Sequence, residues 1–226
     1  MTPLLLAALV AAGCVLQARF VRADRVHRYD AAALLKGLAA LAFVLVGVVG
    51  ALDAPSPEAN TVCLGLALGA VGDALHALRF VLPERKRLLF NVGAASFLFG
   101  HLAYLVAVVP ACAAPTRGLA ASCALALAVD ATVLPRVRVQ SRAEFVAGGA
   151  YLAVTSAVVG FAAAGAAATP SASKVTLAVG AAAFLASDVM LAVNNFGGVD
   201  SPRLRAISLG TYYAGQTLIA LSLALA

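Results

Sequence analysis

The chain has no tryptophan, two methionines and four cysteines, and only 12% of its residues carry a charge. So little charge beside 63% hydrophobic residues excludes an ordinary soluble domain. With no tryptophan to mark the membrane–water boundaries, those boundaries have to be read from charge instead. Cys14, Cys63, Cys112 and Cys123 fall in no CxxC or similarly close pattern. That removes the usual metal-ribbon and redox readings, and the three that sit in apolar runs are expected to be buried small hydrophobes. There is no HExxH pair and no serine nucleophile elbow, so neither a zinc peptidase nor a triad hydrolase is legible. Asp73, His76, His101 and Asp188 are of ligand type, but their spacing matches no zinc motif, and neither a metal nor a cofactor is expected. The first apolar run, residues 2–18, has no basic segment ahead of it and its arginines follow it, which reads as a retained span rather than a cleaved signal peptide.

What the chain does have is hydrophobic length. Its mean hydropathy is +0.98, and its 226 residues accommodate roughly eight spans of about 20 residues with short connections. Spans are predicted at 2–18, 31–51, 60–80, 87–109, 117–134, 143–166, 173–194 and 206–226. The expected fold class is therefore all-α, an integral membrane bundle of eight transmembrane helices, with one transmembrane domain over residues 1–226. A net charge of +6 would suggest nucleic acid in a soluble protein. Here the cations cluster in connections, where they set topology, and no nucleic-acid partner is expected.

The first connection holds Arg19, Arg22, Arg25 and Arg28, and the third Arg79, Arg85, Lys86 and Arg87; the fifth holds Arg136, Arg138 and Arg142, and the seventh Arg203 and Arg205. These are thirteen of the sixteen basic residues; Arg117 and Lys174 lie in even connections and Lys36 just inside the second span. The positive-inside rule then puts the odd connections in the cytosol and both termini outside.

With that orientation, most in-span polar residues lie toward the cytosolic leaflet: Asp73 and His76, Asp188, Lys36, His101 with Tyr104, Tyr151, and Tyr212, Tyr213 and Gln216. The outer halves are largely Ala, Leu, Val and Gly, so the pattern describes a polar cavity biased to the cytosol. A charged Asp at bilayer depth costs about 2.5–3.5 kcal/mol on insertion scales and is kept where a partner or a task holds it. The stripe Gly65, Gly69, Gly72 predicts a close approach of span three to a neighbour. A small residue followed by Asp recurs as Gly72-Asp73 and Ser187-Asp188, 115 residues apart. This motivates a parallel four-plus-four repeat that brings the two aspartates to one axis, where they would share a proton.

Each of these residues has a plainer role as well. Buried aspartates tie helices together through Lys, Tyr or Asn, His76 fits a helix end, and Lys36 and the arginines can snorkel to the interface. Against this, Lys36 and the cytosolic arginines suit a phosphate headgroup, and Tyr104, Tyr151, Tyr212 and Tyr213 suit a choline or ethanolamine. Asp130 is expected beside Arg136 or Arg138 at the membrane edge.

Several stretches resemble the lysoplasmalogenase (YhhN-like) family of multi-pass membrane proteins: Gly72-Asp73-Ala74-Leu75, Gly93 through Phe97 with Phe99-Gly100-His101-Leu102-Ala103-Tyr104, Ser187-Asp188 through Phe196, and Tyr212-Tyr213-Ala214-Gly215-Gln216. The resemblance implies hydrolysis of the vinyl-ether bond of a lysoplasmalogen to a fatty aldehyde and a glycerophospho-amine. It puts functional weight on Asp73, His101, Tyr104, Asp188, Asn195, Tyr212, Tyr213 and Gln216. Where the family has Lys-Pro in span two, this chain has Lys36-Gly37. Protonating the vinyl β-carbon makes an oxocarbenium ion, a task suited to two carboxyl groups as in glycoside hydrolysis, so Asp73 and Asp188 are expected to divide the acid and base roles. The expected partners are a vinyl-ether lysophospholipid substrate and membrane lipids. The expected location is a membrane, the cytoplasmic (inner) one if the source is bacterial, with the active site toward the cytosolic leaflet. The rival class is a transporter or lipid-binding bundle in which the same Asp and His residues bind a cation or protons.

Overall fold

The protein is described by a computed structural model that covers residues 2–139 and 141–226. Among these residues it contains eight α-helices and no strand: α1 (Thr2–Arg25), α2 (Tyr29–Asp53), α3 (Pro57–Val81), α4 (Lys86–Ala111), α5 (Pro115–Val133), α6 (Arg142–Ala168), α7 (Ala172–Phe196) and α8 (Pro202–Leu223). In hydrocarbon every backbone polar group needs an internal partner, and a helix supplies it within one segment. The ends are set by capping. Ser56, Ser141, Ser171 and Ser201 accept from the amides of Ala59, Glu144, Lys174 and Leu204, and Pro57, Pro115 and Pro202 open their helices where no donor is lost. Each predicted span finds its helix, most of them extended by a few polar residues beyond the apolar run.

Seven helices, α1 to α7, are long and apolar enough to cross a membrane. The eighth predicted span differs: Arg203, Arg205, Thr211, Tyr212, Tyr213 and Gln216 interrupt the apolar run of α8, and the last three turn inward and are buried. Outward faces carry large apolar side chains such as Leu4, Leu52 and Leu127, exposed by 79%, 73% and 72%, as expected where the surrounding solvent is lipid. The cysteines are corrected on the same ground, since an apolar run faces lipid as readily as core. Cys112 is buried, but Cys14 and Cys123 are exposed and Cys63 is intermediate.

Consecutive helices pair as α1–α2, α3–α4, α5–α6 and α7–α8; α2 also packs on α3 and α8, and α6 on α7 and α4. Three of the consecutive pairs close on glycine; in α5–α6 a Cβ on Gly160 would meet the Ser122 backbone nitrogen at 2.5 Å. A Cβ on Gly65 would sit 2.3 Å from the Tyr104 ring and 2.9 Å from the Gly100 carbonyl, and one on Gly180 would sit 2.8 Å from the Gly215 carbonyl. The predicted close approach of α3 is therefore made to α4. The arginine-bearing connections meet at one end of the bundle. Arg205 pairs with Asp24, Tyr29 stacks on Phe80 at 5.2 Å, Arg87 pairs with Glu144, and the Arg138 amide donates to the Phe196 carbonyl. We refer to this as the basic end. Among the described residues Asp130 is not paired with a basic residue: its Oδ1 is buried without a partner, and Arg136 instead bonds the Thr132 carbonyl.

Candidate functional site

The polar centre of the bundle is Asp73, 1% exposed on α3. Its Oδ1 lies 3.0 Å from Lys36 Nζ on α2, and its Oδ2 accepts from the Tyr212 hydroxyl on α8 at 2.8 Å. Lys36 is itself 7% exposed. A buried ion pair of this kind stabilises little in net terms, but loss of either partner strands a charge. Around it the bonds continue: Tyr213 donates to the Lys36 carbonyl at 3.2 Å, Tyr104 donates to Gln216 Oε1 at 2.7 Å, and Gln216 Nε2 donates to the Tyr212 hydroxyl at 3.3 Å. Lys36, Asp73, Tyr104, Tyr212, Tyr213 and Gln216, from α2, α3, α4 and α8, thus form one network. Gly69 makes room for it, since a Cβ there would meet Gln216 Nε2 at 2.4 Å.

The remaining predicted residues form a second group. His101 on α4 donates from Nδ1 to the Phe97 carbonyl of the same helix at 2.8 Å, which leaves Nε2 as an acceptor, buried and without a partner among the described residues. Its ring packs against Tyr151 at 5.5 Å and Phe184 at 4.4 Å. Asp188 on α7 lies beside the Tyr151 side chain, with its Oδ2 buried and likewise unpartnered. Among the described residues no cation pairs with it.

The two carboxyl groups that the sequence places on one axis therefore have separate neighbours: Lys36 and Tyr212 for Asp73, Tyr151 for Asp188. Between them stands an aromatic cluster in which Tyr212 meets Phe97 at 5.8 Å and Phe184 at 5.0 Å, and Phe184 meets His101. Phe184 lies one turn before Asp188 on α7, so the ring that separates the groups is carried by the helix that bears one of them. Asn195 does not join either group: it is exposed near the end of α7, while its neighbour Asn194 is buried and accepts from the Ser201 amide at 2.8 Å. His76 behaves as its sequence position implies, donating from Nε2 to the Phe90 carbonyl at 3.2 Å and stacking on the Phe90 ring.

A narrow cleft opens from the basic end down to Lys36. Phe20, Asp24, Tyr29, His76, Phe80, Arg79, Leu191 and Arg205 are among its walls. Its free space is about 40 Å³, room for a few water molecules, with Asp73 directly behind the Lys36 ammonium. Phe20 of α1 covers that ammonium at 5.7 Å from the ring centre. Arg79 and Arg205 are among the cytosolic arginines that the sequence suits to a phosphate headgroup, though it singles out neither; Asp24 has no signal of its own, because an acidic residue at a helix end looks like any other. Arg79 stands six residues after Asp73 on the same helix, and that spacing was the available clue.

Eight helices around a buried Lys–Asp pair, reached from a basic cleft, define a polytopic membrane protein with an ionisable site inside its bundle. The chain belongs to the YhhN family, whose model matches residues 31–223, that is, α2 through α8 without α1. No curated protein and no solved structure matches the chain.

Proposed function

We propose that this protein is a lysoplasmalogenase, an ether hydrolase that cleaves the vinyl-ether bond of a lysoplasmalogen to give a fatty aldehyde and a glycerophosphoethanolamine or glycerophosphocholine. Family membership supports the reaction class, and the observation that carries the site is the buried Lys36–Asp73 pair at the floor of the cleft. Lys36 Nζ and Asp73 Oδ1 hold a mobile proton between them. Asp73 passes it to the vinyl β-carbon, the C=C electrons form the new C–H bond, and positive charge appears on the ether-bearing carbon as an oxocarbenium ion. The carboxylate left behind stabilises that cation. Water then adds to the carbon and loses a proton to the carboxylate, and the hemiacetal collapses to aldehyde and alcohol, so the pair ends as it began.

Asp188 takes the second acid–base role from across the aromatic cluster. Its Oδ2 and His101 Nε2 are two acceptors without a donor, suited to the water that the reaction consumes. Tyr104 and Gln216 position Tyr212, Tyr213 holds Lys36 through its backbone, Tyr151 supports Asp188, and Asn195 contacts the substrate from the end of α7. The basic end faces the cytosol by the positive-inside rule, in a cytoplasmic membrane if the source is bacterial, with both termini outside.

We place the two carboxyl groups in a parallel four-plus-four duplication with an offset of 115 residues. Several contacts support it. Shifting each residue by that offset carries Lys36–Asp73 onto Tyr151–Asp188, Gly65–Gly100 onto Gly180–Gly215, and Gly69–Gln216 onto Phe184–His101. Phe97 and Tyr212 exchange with one another, which puts their ring contact on the pseudo-twofold axis.

Purified protein incubated with a 1-alkenyl lysophospholipid and with its saturated 1-alkyl analogue tests the reading. Aldehyde is expected from the first only, and its absence from both refutes it.

A further inference from the structure

We propose that Arg79 and Arg205, flanking Phe80 at the mouth of the cleft, form a seat for a phosphate monoanion, and that the ligand it serves is the phosphodiester of a single-chain phospholipid. This rests on the lysoplasmalogenase reading for its substrate class and deepens it.

The Arg79 guanidinium lies 4.7 Å from the Phe80 ring centre and 5.1 Å from that of Phe90, and the Arg205 guanidinium lies 5.3 Å from Phe80 on its own account. Two guanidinium groups thus share one ring. Only one carboxylate serves them: Asp24 accepts from Arg205 Nε at 2.7 Å and from its terminal nitrogen at 3.0 Å. Lys36, further down the same cleft, is already matched by Asp73. The mouth therefore keeps one uncompensated positive charge. Arg79 Nε is buried and donates to nothing among the described residues, although Arg205 and Asp24 are close enough to act on it electrostatically.

A half-buried guanidinium fork with an idle N–H, beside a second guanidinium, suits a tetrahedral oxyanion that accepts two parallel bonds. Depth agrees with this. Arg79 lies six residues from Asp73, ~9 Å of helix rise, which is comparable to the reach of an extended glycerophosphate from its phosphorus to a vinyl ether on the first carbon. A seat at the mouth therefore sets the reacting bond at the Lys36–Asp73 floor. A purely structural Arg79, stacked on Phe80 and Phe90, would affect stability without distinguishing one lipid from another.

The test measures binding, not turnover. The full chain in detergent is titrated with a radiolabelled 1-alkyl-glycerophosphocholine, which has no vinyl ether to hydrolyse, and with 1-alkylglycerol, which has no phosphate. Arg79→Gln is expected to weaken the phospholipid by about tenfold or more, the loss of one charge-assisted contact, and to leave the alkylglycerol unchanged. Equal weakening of both, or of neither, overturns the seat. Asp24→Asn decides the matter independently of how Arg79→Gln folds. Freed of its internal counter-ion, Arg205 should bind the phospholipid more tightly, and unchanged or weaker binding overturns the seat. Inorganic phosphate and glycerophosphocholine serve as competitors, and displacement of the lipid at equal molar concentration overturns its assignment to a lipid. Because nothing is turned over, absence of aldehyde in the hydrolysis assay leaves this result standing. Conversely, hydrolysis indifferent to Arg79 removes the seat and leaves the reaction intact.

Discussion

Asp73 and Asp188 stand on α3 and α7 with a small residue before each, yet their surroundings differ. Asp73 has an ammonium at 3.0 Å, a phenol at 2.8 Å and a cleft leading to it. Asp188 has a tyrosine where Asp73 has a lysine, and one of its oxygens has no partner among the described residues. The difference teaches that a pair of acidic residues in two matching helices need not be a dyad. One position is matched by a cation, while the other keeps accepting capacity to spare among the described residues.

The sharpest way to break this comparison is to neutralise each carboxyl group in turn. Asp73→Asn should lower aldehyde release by about a thousandfold, within the usual range for loss of a proton-transferring group, whereas Asp188→Asn should cost about tenfold. Equal losses in a single-turnover assay would abolish the asymmetry. Stability should divide the halves next. Lys36→Met strands Asp73 in the interior and should destabilise the fold by about 3 kcal/mol, and adding Asp73→Leu should restore most of it. Thermal unfolding in detergent reads both, and Tyr151→Phe, which strands no charge, should leave the melting point nearly unchanged.

Smaller effects sharpen the duplication. Gly65→Ala and Gly180→Ala each drive a methyl group into a neighbouring helix, so each should cost about 2 kcal/mol, and a cost at only one site would argue against equivalent packing in the two halves. Smallest of all, Tyr151→Phe removes the hydroxyl beside Asp188 and should lower turnover by about threefold, the effect of one hydrogen bond.

Much of the fold was legible because hydropathy and helix length answer to the same bilayer thickness. All eight helices lie where apolar runs predict them, and the glycine stripe announced the α3–α4 contact. The inward polar residues were legible too, since only a partner or a task explains them at depth: Lys36, Asp73, Tyr104, Tyr212, Tyr213 and Gln216 do meet. Three things escaped the sequence. The exposure of Cys14 and Cys123 depends on which face of an apolar run meets a neighbour, which composition does not encode. The choice between Asn194 and Asn195 turns on one residue of helical phase, about 100°, which spacing alone does not resolve at a helix end. The separation of Asp73 from Asp188 depends on Phe97 and Phe184, apolar residues that look like any other core side chain until the rings are placed.

The serines of the second half carry one more consequence. Ser187 and Ser208 bond each other's carbonyls at 2.9 and 3.0 Å, stitching α7 to α8; the positions 115 residues earlier in the chain are Gly72 and Gly93. There the spaces are filled by rings instead: a Cβ on Gly72 would strike Phe97, and one on Gly93 would strike His76. Ring edges on bare glycine backbone fill the joint by shape, whereas reciprocal hydroxyl bonds fasten it by direction. The first half ties α3 to α4 with separate one-way bonds instead, Ser96 Oγ donating to the Leu68 carbonyl at 2.8 Å and His76 Nε2 to the Phe90 carbonyl at 3.2 Å, so the same joint between neighbouring helices is fastened in two different ways.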